Sequence, residues 1–200
     1  FASEINENDI KLLHSLIIYS VKNGNTHALI EIVDKGYDLA SSFDEIIEYA
    51  SANGFYTIIQ LIHNLVPKEQ QILTSYKKNK SSFIPCVSFG NPSILKFYID
   101  YFNENDYKTI YSYASNKGYL NIMKFIDNLP KEKYTNNNAI IFDCLKESLS
   151  QESNEVIDYL LSKFIESNNK ITNYKLNSVL EKAIKLKKIE YAKKIIKIIL

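Results

Sequence analysis

Ala114-Ser115-Asn116-Lys117-Gly118-Tyr119-Leu120-Asn121-Ile122-Met123-Lys124-Phe125-Ile126 joins a small residue, three spacers, a glycine and an apolar stripe at helical spacing. Ala50-Ser51-Ala52-Asn53-Gly54-Phe55-Tyr56-Thr57-Ile58-Ile59-Gln60-Leu61-Ile62 repeats it position for position, and Cys86 to Tyr98, with Gly90 at its turn, is a third copy. The glycine position reads Gly24, Gly54, Gly90 and Gly118, then Glu152 and Lys187 in two weaker copies, at spacings of 30, 36, 28, 34 and 35, about 33 on average. The residue four places earlier is small in all six: Ser20, Ala50, Cys86, Ala114, Ser148 and Ala183. The chain therefore reads as a tandem array, a class that presents surfaces to partners.

A small residue near the end of one helix lets the next helix approach, and a glycine beyond it takes the left-handed conformation that ends a helix cheaply. After the glycine, Ile58, Ile59, Leu61 and Ile62 stripe a second helix; before it, Phe43, Ile46, Ile47 and Ala50 stripe the first. Each unit is expected to be helix, tight turn, helix, with both stripes buried only by stacking on neighbours. The units run near residues 9–40, 41–68, 69–103, 104–133, 134–168 and 169–200. Pro67 and Pro130 punctuate the ends of second helices, and Pro85 within residues 81–86 predicts a shortened or kinked first helix in the third unit. Asn136-Asn137-Asn138 and Ser167-Asn168-Asn169 read as loops, and no strand of any length is expected.

Two hundred residues with 46% apolar content suffice for a core, and 24 basic against 23 acidic side chains leave +1, so no global field draws the chain to nucleic acid or anionic lipid. Two cysteines make no disulfide framework, and neither a signal peptide nor a membrane-length apolar run is read, so a soluble cytoplasmic protein in a reducing compartment is expected. The chain starts at Phe1, and its apolar pattern runs on to Leu200, which reads as a piece of a longer protein.

The chain resembles the ankyrin-repeat family. The first unit carries the fullest likeness, from Lys22-Asn23-Gly24-Asn25-Thr26 through Leu29, Ile32 and Val33 to Asp34-Lys35-Gly36-Tyr37-Asp38-Leu39, which is similar to the family's Lys-Gly-Ala-Asp-Val segment. No unit keeps the Thr-Pro-Leu-His start of the family's first helix, and only Gly36 and Asp38 retain its loop chemistry. The resemblance implies an all-α helical-hairpin solenoid of about six degenerate ankyrin-like repeats with short or absent β-hairpin fingers. It also implies scaffold or adaptor work through the inner, concave face. Another helical-hairpin repeat without fingers is the rival architecture.

His14, His27 and His63 lie in different units outside any metal or catalytic spacing, and each reads as structural or surface, with His63 serving a helix C-terminus. Cys86 and Cys144 fall in first helices and read as small core residues. With no Gly-rich phosphate loop and no nucleophile elbow, no cofactor, metal or small-molecule substrate is expected and the chain reads as non-catalytic. Phe97, Phe125 and Tyr159 share one offset in second helices and read as core between units. The candidate partner-binding residues are Tyr49, Tyr107, Tyr111 and Tyr113, on first helices where the register gives some of them an outward face on the inner, concave side; half-buried packing with the hydroxyl in water is the other reading of each. A protein partner is expected. The alternative surface is the basic amphipathic end carrying Lys182, Lys185, Lys187, Lys188, Lys193, Lys194 and Lys197, which would dock on acidic partners, anionic lipid or nucleic acid.

Overall fold

The recurrent glycine turn is one hydrogen-bonded motif. The N–H groups of Asn25, Phe55, Tyr119 and Lys188 reach five residues back to the carbonyls of Ser20, Ala50, Ala114 and Ala183 at 2.8, 2.8, 2.8 and 2.9 Å. The N–H between them, on Gly24, Gly54, Gly118 or Lys187, reaches three residues back, the second bond of a Schellman helix end. This closure needs a positive φ, which Gly24, Gly54, Gly90 and Gly118 adopt at 64 to 78°. Lys187 adopts it too, at 57°, as the one non-glycine with positive φ among the described residues. The small residues are buried for the expected reason, Ala50, Ala114, Ser148 and Ala183 completely and Ser20 nearly so. At Gly54 a Cβ would stand 2.8 Å from the Phe89 ring of the next turn, so close approach as well as backbone conformation demands glycine there.

The computed structural model describes residues 7–71, 87–130, 138–151, 153–166 and 173–200. Among them are eleven α-helices and no strand, an all-α chain, and no helix is long and apolar enough to cross a membrane. Contacts divide the chain into two compact units, Phe1–Ile99 and Asp100–Leu200.

The first unit holds α1 (Glu7–Lys22), α2 (Thr26–Asp34), α3 (Phe43–Ala52), α4 (Tyr56–Leu65) and the short α5 (Pro92–Leu95). Asn25 caps α2 by accepting the Ala28 N–H at 3.1 Å. Helix α1 packs on α3, and α2 on α4, which packs on α5, giving a layer of first helices over a layer of second ones. Ile17, Val21, Phe43, Ile46 and Ile47 fill the first layer and Leu29, Ile58, Ile59 and Ile62 the second, all essentially inaccessible. Asp38 accepts the Ala40 N–H and leads into a 3₁₀ turn, Ala40–Ser42, that runs directly into α3. Pro67 follows α4 as expected, with Val66 in the extended conformation favoured before proline. The segment expected to be a shortened or kinked first helix, with Pro85 and Cys86, lies outside the described residues. Helix α5 has four residues, capped by Asn91, and continues in three-residue turns at Phe97 and Tyr98.

The second unit holds α6 (Glu104–Lys117), α7 (Leu120–Asp127), α8 (Asn138–Ser148), α9 (Asn154–Glu166), α10 (Asn173–Lys185) and α11 (Ile189–Ile199). Asn138, expected in a loop, begins α8, while Asn136, Asn137, residues 167–169 and Glu152 lie outside the described residues. Asn103 and Asp106 form a reciprocal capping box at the start of α6, which explains why Asp106 is a buried carboxylate. Helix α8 lies between α6 and α10, and α7 packs on α9.

Candidate functional site

The four candidate tyrosines divide by register. Tyr107 and Tyr111 stand seven and three residues before Ala114, the places of Phe43 and Ile47 before Ala50, and they are core: Tyr107 is 2% exposed and Tyr111 0%. Their assignment to a partner-binding face is corrected, because positions seven, four, three and zero before the turn form one inward stripe of the helix. Burial, with the charges of Asp100 and Asp106 beside it, pushes the Tyr107 hydroxyl up to about 12. Phe102 meets its ring edge-on at 5.6 Å. Tyr49 and Tyr113 each stand one residue before the small position and are half-buried, one ring face carrying a lysine: Lys22 Nζ lies 4.5 Å from the Tyr49 centroid and Lys117 Nζ 5.9 Å from that of Tyr113. Tyr19 occupies the same position before Ser20 and is 67% exposed. It was legible from the register and escaped the sequence reading.

The basic end is partly spent on internal pairing. Lys182 meets Glu147 at 3.8 Å, Lys193 meets Glu190 at 3.4 Å, and Lys194 holds Asp158 at 2.5 Å, an interaction that keeps the Lys194 ammonium above its ordinary range. Lys188 Nζ donates to the Gln151 carbonyl at 2.7 Å, and with Lys194 it brackets the Tyr191 ring. Lys185, Lys187 and Lys197 point to solvent. An open cleft of about 570 Å³ is lined by Asn154, Lys187, Lys188, Glu190, Tyr191 and Lys194.

Two polar clusters escaped the sequence reading. In the second unit the Asp127 side chain, 5% exposed, accepts at Oδ2 from the Tyr111 hydroxyl at 3.2 Å and the Tyr159 hydroxyl at 2.5 Å, with Lys163 Nζ at 3.6 Å. Tyr159, expected as core, is half-buried because this bond and the lysines flanking its ring, Lys124 and Lys163, hold it at the rim; Phe97 and Phe125 are half-buried as well. In the first unit His63 sits between Phe97, stacked at 4.5 Å, and Phe43, edge-on at 5.4 Å. The duty at the α4 C-terminus expected of His63 falls to Gln71, whose Nε2 donates to the His63 and Val66 carbonyls at 2.9 and 2.7 Å.

Burial raises the Cys144 thiol, against hydrogen bonds to Ser112 and Ser115, so it stays a protonated core group. Cys86 lies outside the described residues. His14 pairs with Glu45 at 3.0 Å and His27 with Glu31 at 3.8 Å, both on the surface. Among the described residues no group of three or more His, Cys, Asp or Glu side chains could hold a metal ion. No protein-family model matches this chain, and no curated protein and no solved structure matches it.

Proposed function

We propose that this chain is a tandem array of ankyrin-like helix pairs that binds a protein partner through its first helices, as a scaffold or adaptor without catalysis of its own. The observation that carries the reading is the recurrence of one turn, with the same pair of hydrogen bonds and a positive φ, after the buried small residues Ser20, Ala50, Ala114 and Ala183 of four helix pairs. A stack built this way holds first-helix side chains on a preformed surface, which spares the ordering cost a flexible binder incurs. Tyr49 in the first unit and Tyr113 in the second each supply an amphipathic ring at the same register position of their own first helix, each backed by a lysine.

The test uses the chain as bait in a cell lysate, with crosslinking and mass spectrometry, beside a Tyr49→Ala/Tyr113→Ala variant whose helix content is checked by circular dichroism. The expected result is a protein crosslinked near α3 or α6 by the parent chain and lost from the folded variant. Retention of the same protein by that variant overturns the surface. If capture instead fails only when Lys185, Lys187 and Lys197 become Gln, and weakens steeply with salt, the basic end is the binding surface.

A further inference from the structure

Asn23-Gly24 and Asn53-Gly54 are the two places in the sequence where asparagine precedes glycine, and both stand at the turn that closes a first helix. Glycine has no Cβ, so its amide nitrogen reaches the preceding side-chain carbonyl carbon, Cγ, with little obstruction once the backbone turns toward it. The residues before Gly90 and Gly118 are Phe89 and Lys117, which offer no such carbon.

The closed turn keeps the reacting groups apart. Asn23 Nδ2 donates to the Tyr19 carbonyl at 2.7 Å and Asn53 Nδ2 to the Tyr49 carbonyl at 2.8 Å, so each leaving amide is held. Each attacking nitrogen is held as well, Gly24 N–H donating to the Val21 carbonyl at 3.0 Å and Gly54 N–H to the Ser51 carbonyl at 3.2 Å. At Asn53 ψ is 4°, which points the Gly54 nitrogen away from the side chain. Ring closure needs a rotation about that bond, and the rotation breaks the turn's bond from Phe55 N–H to the Ala50 carbonyl. A phenyl ring covers each glycine: a Cβ on Gly24 would meet Phe55 at 3.5 Å, and one on Gly54 would meet Phe89 at 2.8 Å. Both asparagines are nevertheless exposed, Phe89 is 54% exposed, and helix ends are among the first parts of a fold to open.

We propose that Asn23 and Asn53 are self-modifying sites, each converted to aspartate or isoaspartate through a cyclic imide when its own turn opens. The glycine nitrogen gives its proton to hydroxide and bonds to Cγ; the Cγ–Nδ2 bond breaks, and Nδ2 takes a proton from water and leaves as ammonia. Water then opens the imide. Hydrolysis of the new nitrogen–Cγ bond gives aspartate, and hydrolysis of the original peptide bond gives isoaspartate. Either product sets a carboxylate at the C-terminus of a first helix, where the carbonyl dipoles oppose it, and takes the side-chain donor from the Tyr19 or Tyr49 carbonyl. Isoaspartate also adds a methylene to the main chain, so the turn no longer closes with its two bonds. The change is one-way and loosens the α1–α2 or α3–α4 pair on which it falls.

The 200-residue chain is incubated in heavy-oxygen water at mildly alkaline pH, folded and unfolded in urea side by side. Peptide mass spectrometry reads label at positions 23 and 53, and enzymatic methyl transfer from S-adenosylmethionine reads isoaspartate. The expected result is label at both positions, severalfold slower in the folded chain. Phe89→Ala, at an exposed position, should speed position 53 severalfold and leave position 23 unchanged. Asn23→Gln/Asn53→Gln, with unchanged circular dichroism, should lose the isoaspartate signal of both peptides. No label in the folded chain, while the Asn25 and Phe55 amides exchange with deuterium, overturns the proposal, because the turn then opens without reacting. Equal rates folded and unfolded, or a position 53 indifferent to Phe89→Ala, overturn it too, because the turn is then not the gate.

Discussion

His63 and Asp127 occupy the same place in their helix pairs, nine residues after Gly54 and Gly118, and the two units accommodate them in opposite ways. In the first unit the imidazole lies between Phe43 and Phe97, one nitrogen bonded to Gln71 and Nε2 buried without a partner. In the second unit the carboxylate collects two tyrosine hydroxyls and a lysine from helices α6 and α9. The neighbour seven residues after the next turn is Phe97 in one case and Tyr159 in the other. That neighbour stacks as a phenyl ring in the first case and donates its hydroxyl in the second. A stacking position between helix pairs thus tolerates a polar side chain either by sheltering it in its uncharged form or by satisfying its charge, and the two solutions respond differently to substitution and to pH.

The largest difference is expected from removing the charge. Asp127→Leu leaves two tyrosine hydroxyls and Lys163 without their common acceptor and should destabilise the second unit by about 3 kcal/mol, read from urea unfolding and from hydrogen exchange of α6, α7 and α9 amides. Tyr159→Phe removes one donor and keeps the ring, so a loss of about 1 kcal/mol is expected by the same measurement. Asp127→His with Tyr159→Phe copies the first unit's stack into the second and should recover part of the Asp127→Leu loss. Equal losses for Asp127→Leu and His63→Leu would dissolve the comparison.

The turn and the small-residue column were legible because they are local: six small residues and four glycines recur at a period the chain itself displays, and Lys187 keeps the glycine's backbone conformation without its chemistry. Tyr107 and Tyr111 were misread although the signal was present. Phe43, Ile46, Ile47 and Ala50 mark the buried stripe, and the same register carries Tyr107, Ile110, Tyr111 and Ala114. A tyrosine's polar tip suggested the surface, while its position placed it in the core. The same alignment puts Tyr19 in the column of Tyr49 and Tyr113. Asp127 and Gln71 were not legible, since their roles depend on partners such as Tyr159, 32 residues away, and on carbonyls freed by where α4 ends.

The smallest effect, and the one most specific to the first unit, concerns the proton on His63. Gln71 Nε2 already serves two carbonyls, so Gln71 Oε1 is the atom left for the ring, and at 2.8 Å it accepts from His63 Nδ1–H. The lone pair then sits on Nε2, which faces no donor, and protonation there would bury an N–H with no acceptor beside two phenyl rings. Burial accordingly lowers the His63 pKa from 6.5, outweighing the hydrogen bond to Gln71, which raises it. Between the folded value and 6.5 the unfolded chain binds the proton and the folded one does not, so stability rises with pH across that window. The contribution is complete above 6.5, fades as pH falls, and stops changing once the folded histidine is also protonated. His63→Phe should remove this slope while shifting stability at pH 8 by no more than about 1 kcal/mol, since the lost Gln71 bond is offset by the loss of an unsatisfied buried nitrogen. Urea midpoints of the parent and variant between pH 8 and 5, followed through α3 and α4 amides, decide it. Parallel curves would mean that the stack takes up the His63 proton as readily as the unfolded chain does, and that burial there does not exclude the charge.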